Sequence, residues 1–211
     1  MGKISIVNGS PRAPRSNSRR YAALFKGCWD GETEEYAVMD KKHAAFCRSL
    51  EGTRDLLLVF PLYADGLPAV LMEFLKALRD TELRKKPTVH ALINCGFLEP
   101  EQNAVAAEII RLFCRQNGFP AGTFLCVGSG EAILDTPFAF LVRRKIRRMA
   151  KAIRRGKAEY LQVAMPLTKA MFLRASTSYW LRRGQANGLS REQMATMAIE
   201  GSLPPGDSRP A

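Results

Sequence analysis

The chain has 211 residues, 46% of them hydrophobic, and carries 32 lysines and arginines against 20 acids for a formal net charge of +12. That is enough material for one domain with a real core and an appendage, and no uninterrupted apolar run approaches the ~18 residues of a transmembrane helix. Cys28, Cys47, Cys95, Cys114 and Cys126 are dispersed without paired spacing. This argues against a zinc or iron–sulfur site and, with an N-terminus that reads as a strand rather than a secretion signal, for a cytoplasmic protein. The charge is uneven: residues 143–157, RRKIRRMAKAIRRGK, hold nine cations and no acid, so an anionic partner is one expectation.

In chain order, apolar runs alternate with helical patterns. KISIVN (3–8) reads as a strand, 17–28 as a helix, EEYAVMD (34–40) as a second strand and 41–51 as a second helix. DLLLVFPLY (55–63) is continuously apolar, as in a strand buried on both faces. PAVLMEFLKALRD (68–80) is amphipathic, with Pro68 suited to a first helical turn. TVHALINCG (88–96) reads as strand four, 101–118 as a helix stopped by Asn117-Gly118, and TFLCVGSG (123–130) as strand five. A long basic helix then runs from Asp135-Thr136-Pro137 to about Arg155. Five strands alternating with helices predict an α/β fold with a doubly wound, five-stranded parallel sheet. We place this domain at 1–157 and a C-terminal helical extension at 158–211.

In such sheets ligands bind beyond the carboxyl ends of the strands, where strand order reverses. The segments to read are therefore Asn8–Ser18, Pro61–Leu67, Asn94–Asn103 and Gly128–Glu131. After strand one, Ser16, Asn17 and Ser18 sit where a helix begins. They can cap its orphan N–H groups, or those N–H groups and the hydroxyls can hold a phosphate, with Arg12 or Arg15 closing over it. Neither a Walker loop nor a dinucleotide fingerprint is present, because G-x-x-x-x-G-K-[ST] is missing and Gly9 is the sole glycine between Gly2 and Gly27. Cys95 lacks an evident base partner, since His43 falls in helix two and His90 inside strand four, so a nucleophilic role is not expected. Gly128–Glu131 reads either as a plain turn or as a loop reaching the ligand.

NGSPR…SNS, FPLYADGLPAVLMEFLKAL, INCGFLEPEQN (93–103) and GSGE (128–131), in that order, resemble the flavodoxin-like NAD(P)H-dependent FMN reductases and related flavodoxin-family oxidoreductases. The resemblance covers about residues 3–131. It implies strand order 2-1-3-4-5, FMN as cofactor, NAD(P)H as co-substrate, and hydride passing through flavin to a small-molecule or protein acceptor. An electron carrier or basic binding module on the same scaffold is the alternative. Carried over by position, Ser10, Arg12, Ser16, Asn17 and Ser18 would hold the phosphate. Pro61, Leu62, Tyr63, Ala64 and Asp65 would line the isoalloxazine, and Asn94, Cys95, Gly96 and Phe97 would flank it. No catalytic acid, base or metal is implied.

In the basic helix, Val142, Ile146, Met149 and Ile153 form one stripe and cations fill much of the rest, which reads first as a surface helix. Interleaved aromatics that would stack bases are missing from 141–157, so nucleic acid is not the expected partner. Residues 166–184 read as a helix apolar on more than one side. Ser190-x-x-Gln193, flanked by Leu189 and Met194, reads as a capping box with a staple, starting a helix over 191–200. We expect 165–200 to form a homodimer interface or to cover the flavin site, with membrane-surface attachment ranked second. Residues 202–211 read as a frayed end.

Overall fold

The computed structural model describes residues 2–13 and 15–196. Six strands, all parallel, form one sheet in the order β2-β1-β3-β4-β5-β6: β1 Ile4–Asn8, β2 Thr33–Ala37, β3 Asp55–Pro61, β4 Thr88–Asn94, β5 Ala121–Val127 and β6 Tyr160–Val163. The connecting helices are α1 Asn17–Lys26, α2 His43–Ser49, α3 Ala69–Arg79, α4 Ala104–Gln116 and α5 Ala139–Arg154. The expected order 2-1-3-4-5 is present, and a sixth strand is added beyond β5. That strand lies in the segment assigned above to the helical extension. The compact unit accordingly runs through Met165, and a second begins at Pro166 with α6 Lys169–Ala186 and α7 Arg191–Ala195. The tail 202–211, and the part of the 191–200 helix past Thr196, lie outside the described residues.

Sequence pattern explains the layering. In β3, Leu56, Leu58 and Phe60 point into one core with Val7, Ile93 and Cys126, whereas Leu57 and Val59 are buried on the other face. Both faces are covered, so a central strand must be apolar throughout. α3 buries Leu71, Phe74, Leu75 and Leu78, the i, i+3, i+4, i+7 set of one helical stripe, and α4 buries Ala106, Ala107, Ile110 and Cys114. α1 and α5 cover the opposite face, with Tyr21, Ala22 and Phe25 from one and Val142, Ile146, Met149 and Ile153 from the other. Pro68 occupies the N-cap of α3 rather than its first turn. The 34–40 run is strand only to Ala37, and Val38–Asp40 is a 3-10 turn. The Ser190 capping box forms: the Gln193 N–H donates to Ser190 Oγ at 3.2 Å, and the Ser190 N–H to Gln193 Oε1 at 2.7 Å.

Because every strand runs the same way, all the βα loops emerge along one edge of the sheet. Strand order reverses between β1 and β3, so the loops after these two strands diverge to opposite faces and leave a crevice.

Candidate functional site

The loop after β1 is pre-shaped by its own side chains. The Ser10 N–H donates to Asn8 Oδ1 at 3.1 Å, and the Arg12 N–H to Ser10 Oγ at 3.2 Å. Ser16 is the N-cap of α1, its Oγ accepting from the Arg19 N–H at 3.2 Å and from Asn8 Nδ2 at 3.4 Å. The first turn of α1 holds no acid, and Arg12, Arg15 and Arg19 are exposed. A helix N-terminus with capping hydroxyls, no competing carboxylate and adjacent guanidiniums is suited to an anion.

The loop after β3 supplies a different surface. Tyr63 and Gly66 exchange backbone hydrogen bonds at 3.1 and 2.9 Å, closing a tight turn around Ala64 at φ 44° and Asp65 at φ 56°. Two consecutive non-glycine residues in the left-handed region cost about 1–2 kcal/mol each, and such strain concentrates at functional sites. The Leu62 N–H donates to the Asn94 carbonyl at 2.8 Å, tying this loop to the one after β4. Tyr63 is 40% exposed and Phe97, on the neighbouring loop, 51%. Pro61 and Leu62 are half-buried beside them. Two exposed aromatic side chains at adjacent strand ends give the flat apolar walls that a planar ring requires.

The loop after β5 laces the others together. Asn17 Nδ2 donates to the Glu131 carbonyl at 3.1 Å, Tyr21 Oη to the Gly130 carbonyl at 2.7 Å, the Gly130 N–H to the Cys95 carbonyl at 2.6 Å, and the Ser129 N–H to the Phe97 carbonyl. Arg20 pairs with Asp135, and its guanidinium bond holds that carboxyl below the usual carboxylate range. Burial of Tyr21 drives its hydroxyl well above the ordinary tyrosine value, so it stays a neutral donor. Ser129 sits at φ 54° with its Oγ buried and without a hydrogen-bond partner among the described residues. The glycines of GSGE are there for close approach: a Cβ on Gly130 would lie 2.8 Å from Asn94 Cβ and 3.1 Å from the Cys95 carbonyl, and one on Gly128 would collide with the Leu98 carbonyl. Gly130→Ala is therefore expected to cost about 1–3 kcal/mol, read as a lower urea midpoint at unchanged slope.

Of the residues named from sequence, Ser10, Arg12, Ser16 and Asn17 gather at the α1 terminus, and Pro61, Leu62, Tyr63, Ala64, Asp65, Gly96 and Phe97 at the loops after β3 and β4. Three others turn inward. Asn94 Nδ2 donates to Ser18 Oγ at 3.3 Å and to the Phe60 carbonyl at 2.9 Å, so Asn94 and Ser18 are spent on each other. Cys95 is buried, with Asn103 Nδ2 donating to its sulfur at 3.3 Å and carbonyls of Val127, Phe97 and Glu99 around it. Burial pushes its thiol up, against smaller opposing effects of Asn103 and the Phe97 backbone, which makes it a poor nucleophile. Tyr21, Asn103 and Asp135, which hold these loops in place, were not read as site residues. Only Tyr21 carried a signal, as a hydroxyl within the buried stripe of α1.

FMN fits the residues present. An anion-ready helix terminus stands at one strand end, the exposed Tyr63 on a strained turn at a second and the exposed Phe97 at a third, and the buried Ser129 Oγ stands unpartnered among the described residues in the loop that ties the strand ends together.

No protein-family model matches the chain, and no curated protein matches it. Solved structures do. An NAD(P)H:quinone oxidoreductase from Methanothermobacter marburgensis superposes with a TM-score of 0.56 at 14% identity, covering 72% of this chain and 97% of that one. A flavodoxin from Streptococcus pneumoniae gives 0.54 at 14%, covering 72% and 98%. An FMN-dependent NADH-azoreductase from Bacillus anthracis, solved with FMN, gives 0.54 at 12%, covering 74% and 100%. At these identities the common property is architecture, and this chain has the flavodoxin-like fold.

Proposed function

We propose that this chain is an FMN-dependent oxidoreductase that accepts hydride from NAD(P)H and passes electrons to a small-molecule acceptor. The observation that carries the reading is the strained Ala64-Asp65 turn, which sets an exposed Tyr63 beside the loop bearing an exposed Phe97. The NADH-azoreductase and quinone oxidoreductase among the similar structures support it.

When bound, FMN supplies the redox chemistry. The protein's residues bind and orient. Arg12 or Arg15 would clamp the phosphate as a charge-assisted donor, helped by Ser10, Ser16, Asn17 and the first-turn N–H groups of α1. Tyr63 and Phe97 would line the ring. Asn94, Ser18, Tyr21 and Gly130 act behind them, fixing the loops so that the walls are in place before the ligand arrives. No side chain of the site is required to move a proton, and Cys95 in particular is caged.

The test is titration of flavin-free protein with FMN, followed by flavin fluorescence. Quenching that saturates at one FMN per chain supports the reading. No change in fluorescence at any protein concentration sinks it.

A further inference from the structure

The net charge of the molecule lies in one part of the chain. Residues 139–196 contain fourteen lysines and arginines and two acids, a net of +12, whereas the remainder balances eighteen against eighteen. On α5 the pattern is directional. Val142, Ile146, Met149 and Ile153 face the sheet, while Arg143, Arg147, Lys151 and Arg155 follow one another at i, i+4, i+8 and i+12 along the exposed side. That is a row about 18 Å long. Arg148 pairs with Glu159 and Arg154 with Asp30. Among the described residues Arg143, Arg144, Arg147, Lys151, Arg155 and Lys157 enter no ion pair. At the start of the same row Phe140 is exposed.

α6, taken by itself, repeats the chemistry. It carries Lys169, Arg174, Arg182 and Arg183 and no acid, and it exposes Met171, Leu173 and Trp180. Large apolar side chains left open on a helix that carries cations and no acid mark an interaction surface.

We infer that this chain attaches to an anionic lipid bilayer, α5 supplying a cationic row with Phe140 at its start, and α6, by itself, supplying Lys169, Arg174, Arg182 and Arg183 with Met171, Leu173 and Trp180 as anchors for the headgroup region. Membrane-surface segments combine these two ingredients, cations for anionic headgroups and aromatic or aliphatic anchors for the acyl boundary. A nucleic-acid backbone needs the cations but gains nothing from Met171 or Leu173, and the aromatics that would stack bases are missing from 141–157. A lipid surface is extended, so it demands no fixed geometry between the two elements. The inference does not depend on flavin binding.

The experiment is sedimentation of the full-length protein with vesicles of phosphatidylcholine alone, or mixed with phosphatidylglycerol, at low and high salt. Binding is expected only to the mixed vesicles and falls steeply with added salt. Arg143→Glu, Arg147→Glu and Lys151→Glu together weaken it by about a hundredfold or more, at about fivefold for each charge lost near the surface. If that variant precipitates, the same three positions changed to Gln are measured with the same expectation. Leu173→Ser with Trp180→Ser weakens binding while leaving its salt dependence in place. Equal binding to both vesicle types, binding to neither, or unaltered binding by the charge variants overturns the inference. So does tight binding of an oligonucleotide without vesicle binding. A dimer by light scattering that becomes a monomer in the Leu173/Trp180 variant also overturns it, and assigns α6 to contact between copies.

Discussion

FMN is expected to bind at least about a hundredfold more tightly than riboflavin, which has the same ring and ribityl chain but no phosphate. Hydrogen bonds to a charged group contribute about 1.5–3 kcal/mol each, and two such contacts at the α1 terminus amount to about 3–6 kcal/mol, more than two decades in affinity. Arg12→Ala should remove one of them, lowering FMN affinity by about tenfold to a hundredfold and leaving riboflavin nearly unchanged. The response at Ser18 should differ. Its hydroxyl accepts from Asn94 in the interior, so Ser18→Ala should weaken both flavins alike, through loosened loops. Equal affinity of the unaltered protein for FMN and riboflavin would detach residues 10–18 from the site.

The second large effect lies at the opposite edge of the sheet. Asp55, the first residue of β3, is buried and accepts from Arg54 Nε at 2.6 Å and from His90 Nε2 at 3.2 Å. The other ring nitrogen, His90 Nδ1, accepts from the Thr123 N–H at 2.8 Å, which puts the imidazole proton on Nε2, toward Asp55. Burial alone would raise the Asp55 pKa, but the bonds from His90 and Arg54 together outweigh it and hold the carboxyl below its usual value. Asp55→Ala strands a buried imidazole N–H, and the expected loss is about 2–3 kcal/mol, a fall in Tm of about 4–12 °C for a chain of this size. Because the folded-state pKa is depressed, this contribution is fully present above the unfolded-state value of about 3.9 and is lost as pH falls through the folded-state value. Denaturant titrations should therefore separate the variant from the unaltered protein at pH 7 and bring them together in strong acid. A constant gap down to the lowest pH would show that the Asp55 charge is not what stabilises β3 against β4.

Much of the architecture could be read from period and punctuation. DLLLVFP has no polar face to spare, so it could only be a central strand, and the 3.6-residue stripe of Leu71, Phe74, Leu75 and Leu78 could only be a helix lying on the sheet. β6 was missed for a physical reason. YLQV is four residues long, begins with an exposed tyrosine and sits at the sheet edge, so neither length nor alternation distinguishes it from a loop. The cap at Ser16 was legible because serines at a helix start announce themselves locally, whereas the tight turn at Ala64-Asp65 is known from the structure. The phase of Ser18 marks it as buried: it shares the stripe of Tyr21, Ala22 and Phe25, three, four and seven residues on. Asn94 and Cys95 could not be sorted from sequence, because Ser18 and Val127, which hold them, lie 76 and 32 residues away in the chain. The same holds for the close approach of Gly130 to Asn94.

The measurement that bears most directly on the account is the visible spectrum of the FMN-loaded protein in the absence of air, before and after addition of NADH or NADPH. The oxidoreductase reading predicts that the flavin bands near 450 nm bleach with at least one of the two nicotinamides and return when an electron acceptor such as a quinone or azo dye is added. Persistence of the bands with both, in protein that still holds its FMN, would contradict it and leave this chain an electron carrier on a flavodoxin-like fold.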